Sequence, residues 1–187
     1  MLPKETYDLL VATFGEIVSD FTEGSGIKDP FCRVKPERLL EVMRTLRDHP
    51  ALQFDFLESI TAVDWPKSSE IQLVYHLFSY PLRHDFVLKV TLGREAPNVA
   101  SLAALWDSAD WLEREQYDLM GVVFAGHPDL RRLLLPEDWD GHPLRKDYRQ
   151  PAEYRGMRTT RPSPLDLLPA FDAHNRAQQA TTKGDEK

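Results

Sequence analysis

Two stretches of strict alternation, "IQLVYHLFSY" and "DFVLKVTLG", are separated by only the four residues "PLRH". A period of two places Ile71, Leu73, Tyr75 and Leu77 on one face of a strand and Val74, His76 and Phe78 on the other. In the second stretch Phe86, Leu88, Val90 and Leu92 point one way, with Asp85 and Lys89 opposite. The short connection predicts an antiparallel hairpin, because a parallel return needs a crossover of a dozen residues or more. Whatever else the chain forms must therefore cover one apolar sheet face.

The flanks supply candidates for that task. "FDFLESITAVDW" reads as a further strand, and "EIVSDFTEGSGIKDPFCRV" as two short strands around a glycine turn. Tyr7, Leu10, Val11 and Phe14 fall at helical spacing, with Gly15 as the stop. A second helix begins at Pro36, carries Leu39, Leu40, Met43 and Leu46 as its stripe, and ends at Pro50. In "SADWLEREQYDLMG" helical spacing returns, with Asp110 as N-cap, Glu113 completing a capping box and Gly121 as the C-terminal stop. The expected fold class is α+β: an antiparallel or mixed β-sheet with helices on one face, followed by an extended C-terminal arm. Residues 1–125 form the domain, 126–150 an irregular docking segment with two Gly-His-Pro corners, and 151–187 an extended or disordered tail.

Composition excludes several classes. Twenty-three basic against thirty acidic residues leave a net charge of −7, which opposes general nucleic-acid binding. The single cysteine, Cys32, rules out a disulfide framework and an iron–sulfur cluster held by this chain alone. No apolar run approaches the ~20 residues needed to span a bilayer, and the N-terminus lacks the pattern of a signal peptide. A soluble, intracellular protein is expected.

Catalytic signatures are scarce. "GSG" lacks the third glycine of a dinucleotide loop, and neither a Walker-type loop nor a Gly-x-Ser-x-Gly elbow occurs. His127 and His142, with Asp129 or Asp140, have acceptable ligand chemistry for a metal, yet each histidine precedes a proline that extends its backbone. Rings that fix loops by hydrogen bonding are the simpler reading. Glu115 and Asp118 share a helix face at about 100° per residue, while Glu113 lies well round from both. Asp110, Arg114 and Asp118 follow at i,i+4, so a capped, salt-bridged helix is expected rather than acid–base catalysis. A free-standing enzyme built on Glu115, Asp118 and His127 is the alternative.

What remains is a dense run of rigid and bonding features from Trp111 to Tyr148. "LRRLLLPEDW" joins two arginines to an apolar run, and "GHPLRKDY" adds Arg145, Lys146, Asp147 and Tyr148. Arginine's planar fork suits bidentate pairing with partner carboxylates, prolines lower the ordering cost of docking, and Leu133, Leu134 and Leu135 offer an apolar centre. A protein-docking segment outranks an active site.

"WLEREQYDLMGVVFAGHPDLRRLLLPEDWDGHPLRKDY" also closely resembles the signature of the C subunit of bacterial NADH-quinone oxidoreductase, the counterpart of the 30 kDa subunit of respiratory complex I. "SITAVDW" and "VYHLFSY" resemble the same family, so the likeness covers roughly residues 35–150. It implies a scaffold subunit of the peripheral arm of a proton-translocating enzyme that passes electrons from NADH through FMN and iron–sulfur clusters to quinone. No cofactor is then expected on this chain; FMN and the clusters belong to partners. The implied partners are the large quinone-site subunit and neighbouring iron–sulfur subunits, on the cytoplasmic side of the cell membrane. Glu113, Arg114, Glu115, Asp118, His127, Pro128, Arg131, Arg132, Pro136, Arg145 and Asp147 match the signature and carry over as architectural and docking positions. Similar subunits occur in membrane-bound hydrogenases and formate hydrogenlyase, so that placement stays open here.

Overall fold

The computed structural model describes residues 2–24, 26 and 28–159. The expected hairpin forms from a strand at Glu70–Ser79 and one at His84–Gly93, paired from Glu70↔Gly93 to Ser79↔His84. In chain order the sheet contains β1 (Val18–Thr22), β2 (Phe31–Val34), β3 (Phe56–Trp65), β4 (Glu70–Ser79) and β5 (His84–Gly93). Its spatial order is β1-β2-β5-β4-β3. All neighbours are antiparallel except β2 and β5, which run parallel, so the sheet is mixed.

The faces follow the alternation. Ile71, Leu73, Tyr75 and Leu77 are buried together with Phe86, Leu88, Val90 and Leu92. Helices α1 (Pro3–Phe14), α2 (Leu39–Asp48) and α3 (Asp107–Met120) close this side, contributing Leu10, then Leu39, Val42, Met43 and Leu46, then Ala109 and Met120, to a single core. Burying a Leu or Phe side chain contributes about 1.5–3 kcal/mol each, which makes this face the main source of stability. Cys32 lies inside the core, where burial pushes its thiol up to about 12 and leaves it unreactive.

An open edge strand presents unpaired backbone groups. At the β3 edge the side chains of α3 supply partners: Gln116 Oε1 accepts the Ala62 N–H at 3.0 Å, and Ser108 Oγ donates to Leu57 O at 3.0 Å. The Trp106 indole N–H donates to Phe54 O at 3.1 Å. These anchors also correct the expected start of α3. The helix begins at Asp107 rather than after Asp110, its start held by Trp106 bonded to Phe54 just ahead of β3 and by Ser108 bonded to Leu57 within it. Asp110 then lies within the first turn, and Glu113 caps nothing.

Pro36 opens a short 3₁₀ turn, Pro36–Arg38, before α2 proper. Two short strands escaped the sequence reading: β6 (Asn98–Ala100) and β7 (Val123–Ala125), which pair in parallel on either side of α3. Three residues are too few for periodicity to register.

This compact unit runs to Tyr148, and a second begins at Arg149. Within the second unit, β8 (Glu153–Tyr154) and β9 (Met157–Arg158) form a small antiparallel hairpin. The start of the expected extended tail is therefore folded locally, with Gly156 at positive φ in the turn. The apolar patch Leu165, Leu167, Leu168 and Phe171 lies outside the described residues. No helix among the described residues is long and apolar enough to cross a membrane.

Candidate functional site

The residues from Gly126 to Tyr148 wrap α3, and Asp118 is the point on which they turn. Its carboxylate is fully buried. Oδ2 accepts three successive backbone N–H groups, from Leu133 at 3.0 Å, Leu134 at 2.7 Å and Leu135 at 2.8 Å. Oδ1 accepts from Arg132 Nη1 at 2.9 Å. Successive N–H groups converging on one anion form a concavity that strongly favours the charged form. Burial alone would raise the Asp118 pKa, but the Leu135 and Leu134 N–H groups, Arg132 and the Leu133 N–H outweigh it and hold it below the usual carboxylate range. Arg132 also donates to Trp139 O at 3.0 Å.

Arg114 departs from the expected surface ion row. Its guanidinium reaches the carbonyls of Arg131 and Arg132, at 3.3 and 3.5 Å, and lies over the Trp111 ring. The helix therefore orients the loop through backbone acceptors, while Asp118 takes its cation from Arg132 of the loop. The reason is burial: a buried carboxylate needs several donors, which one i,i−4 arginine cannot supply.

The two Gly-His-Pro corners bind α3 at different levels. His127 Nε2 donates to Asp110 O at 3.1 Å, and its Nδ1 accepts the Asp129 N–H at 3.0 Å. His142 Nδ1 bonds Asp118 O at 2.9 Å. Next to it the Leu144 N–H donates to Leu119 O at 3.1 Å, and Arg145 Nε to Met120 O at 2.8 Å. The second corner is thus a C-terminal cap that satisfies carbonyls a helix end leaves open. Asp110 and Asp118 are eight residues apart, about 12 Å along a helix, so the histidines are not brought together. Nor does the Glu115, Asp118 and His127 group assemble: His127 sits beside Asp110 and Glu113, at the other end from the Asp118 carboxylate. No group of three metal-ligating side chains occurs among the described residues.

Glu113 points inward. It accepts from Ser101 Oγ and from the Leu102 N–H, both at 2.6 Å, and joins the β6 end to α3. Burial pushes its carboxyl up, against the pull of those two bonds.

Sequence reasoning missed a second buried anion. Asp64 faces the core because its register partner is Ile71. Arg94 grips it with Nε and Nη2, at 2.7 and 3.0 Å, and bridges to Asp147 at 2.6 Å. The Lys146 N–H adds a bond to Asp64 at 2.8 Å. The signal was available: an acid at a core-facing position of an apolar strand demands a partner.

What faces outward is a smaller set. The Arg131 side chain is 72% exposed and pairs with its neighbour Asp129. Leu134 is 62% exposed, Leu144 and Trp111 are more than half exposed, and Pro128 and Pro136 lie on the surface. Glu115 is half-buried, and Asp147 keeps 64% of its side chain exposed.

The family described as respiratory-chain NADH dehydrogenase, 30 Kd subunit, matches residues 32–154. The chain belongs to that family. The matched span contains β3, β4 and β5, all but the first residue of β2, and α3 with its wrapping segment. Among relatives in the 30 kDa family, the NADH-quinone oxidoreductase C subunit of Chlorobium phaeobacteroides is 39% identical over 154 residues, covering 81% of this chain and 92% of that protein. The C subunit of Roseiflexus castenholzii is 50% identical over 115 residues, 61% of this chain and 66% of that one. Among solved structures, a trypsin-resistant fragment (1–134) of Nqo5 aligns at 31% identity with a TM-score of 0.55, covering 68% of this chain and 98% of the fragment. A chain of the membrane-bound sulfane sulfur reductase, an archaeal respiratory membrane complex, shares the fold at 20% identity and a TM-score of 0.64, over 90% and 91% of the two chains.

Proposed function

We propose that this member of the 30 kDa family is a scaffold subunit of the peripheral arm of a proton-translocating NADH:quinone oxidoreductase, with no active site of its own. Electrons pass from NADH through FMN and iron–sulfur clusters held by partner subunits to quinone. The proposed partners are the large quinone-site subunit and adjoining iron–sulfur subunits, on the cytoplasmic side of the membrane. One observation carries the reading: the buried Asp118 carboxylate accepts three backbone N–H groups on one oxygen and Arg132 on the other, which commits it to holding the loop rather than to acid–base work. The signature's ionisable residues build a rigid surface, and Arg131, Leu134, Leu144 and Asp147 stand out from it as contacts for partners.

The test is to tag the chain, extract membranes in mild detergent, and identify what co-purifies while assaying NADH-driven quinone reduction. Flavin and iron–sulfur subunits with that activity support the proposal. Nickel-containing partners without NADH activity would move the scaffold to a hydrogenase-type complex. Turnover by the purified chain alone would overturn it.

A further inference from the structure

The helices cover one face of the sheet; the other is a half-exposed mosaic. Across β2, β5 and β4 it carries Phe31 and Arg33, then Val87, which is buried, and Lys89, then Val74 and His76, in register. Arg33 stands directly opposite Lys89 on neighbouring strands. Like charges placed so oppose each other and cost stability unless something else offsets it. Arg33 has a loose surface partner, Asp20 at 3.3 Å, with both side chains about half exposed. Among the described residues Lys89 has an aromatic one: its ammonium lies 3.4 Å from the Phe31 ring centroid. Burial first, and Arg33 second, hold its amine below the ordinary lysine range. Beside these two cations lies an open depression of about 550 Å³, bordered by Trp65, Gln72 and Thr91, with Glu70 at its far side. Trp65 is 51% exposed there.

We infer that this sheet face, centred on Lys89 and Arg33 and edged by Trp65, docks a carboxylate-bearing, partly apolar segment of a neighbouring subunit. The inference rests on membership of the complex. Charge decides the occupant: a chain of net charge −7 repels nucleic acid and anionic lipid as a whole, yet keeps this local cation pair. With Arg33 already facing Asp20, a single acidic side chain from a partner balances the remaining charge of the pair, while Trp65, Phe31 and Val74 accept its apolar neighbours. The surface lies on the opposite side of the sheet from α3 and its wrapping segment, so one chain can contact two partners.

Lysine acylation of the wild-type protein tests this. Acetylation by an N-hydroxysuccinimide ester, read by mass spectrometry, is compared between the detergent-extracted complex and the isolated full chain. Lys89 labelling is expected to fall at least tenfold in the complex, and carbodiimide is expected to join Lys89 to an Asp or Glu of another subunit. Equal labelling in both states, with partners present, overturns the site alone. A carbodiimide link from Lys89 into this chain's own acidic residues overturns it in favour of self-occupancy. Full protection of the isolated chain by inorganic phosphate overturns it in favour of a small-anion site. Recovery of the chain with no partner overturns the complex membership on which it rests.

Discussion

Arg132 Nη1 lies 2.9 Å from Asp118 Oδ1, and the three residues after Arg132 in the chain donate their backbone N–H groups to the other oxygen. One carboxylate on α3 thus fixes the conformation of four consecutive residues. The signature's double arginine is divided by this contact: Arg132 turns inward and Arg131 outward.

That division yields opposite expectations for neighbouring alanines. Arg132→Ala leaves the buried Asp118 without its cation and is expected to cost about 3–5 kcal/mol of chain stability in urea unfolding. Arg131→Ala removes an exposed side chain and is expected to leave stability within about 0.5 kcal/mol while lowering recovery of the chain in the complex. Equal unfolding midpoints for the two variants would contradict the geometry.

Acid should unfold the chain through identifiable carboxylates. In the folded state Asp64 is held low chiefly by Arg94, against burial, and Asp118 by its four donors. Their stabilisation is present above the unfolded value of about 3.9 and is lost as pH falls through the folded values. Glu113 runs the other way, because burial raises it: its contribution is greatest at low pH and is lost as pH rises through its folded value. Asp118→Asn and Asp64→Asn should flatten the loss of stability between about pH 5 and pH 2 in urea titrations. Glu113→Gln should improve stability at neutral pH relative to Glu113→Ala.

Gly121 and Gly126 offer a controlled pair. Both have positive φ, +74° and +85°. A Cβ on Gly121 would meet His142 Nε2 at 2.5 Å and Cδ2 at 2.6 Å, whereas one on Gly126 would meet nothing within 4 Å. Gly126→Ala should therefore cost only the left-handed backbone, about 1–2 kcal/mol. Gly121→Ala should cost clearly more, since it also dislodges the ring that caps α3, and thermal unfolding would rank the two.

Arg94→Lys should lower the thermal midpoint even though charge is retained. A single ammonium cannot reproduce the fork that holds both oxygens of Asp64 and bridges to Asp147. Limited proteolysis between Arg145 and Arg149 should quicken as the Lys146 tether to Asp64 loosens. An unchanged midpoint and cleavage rate would show that the bridge is dispensable.

The sequence by itself determined whatever repeats locally. A period of two assigned the apolar inward residues of β4 and β5, though not the buried Ser79 and His84 at their joined ends; helical spacing located α1, α2 and most of α3, and Gly121 announced the helix end that it makes. The family signature was legible because it is long and contiguous. Tertiary structure decided the partners. No local pattern states that β2 runs parallel to β5, or that Asp64 receives an N–H from Lys146, eighty-two positions away. The i,i+4 row from Asp110 to Asp118 looked complete as a surface ladder. Burial overrode it, since a carboxylate removed from water needs more donors than its own helix can offer and takes them from the loop that folds over it. Periodicity records which side of an element leaves water; the path of the chain decides which charges meet there.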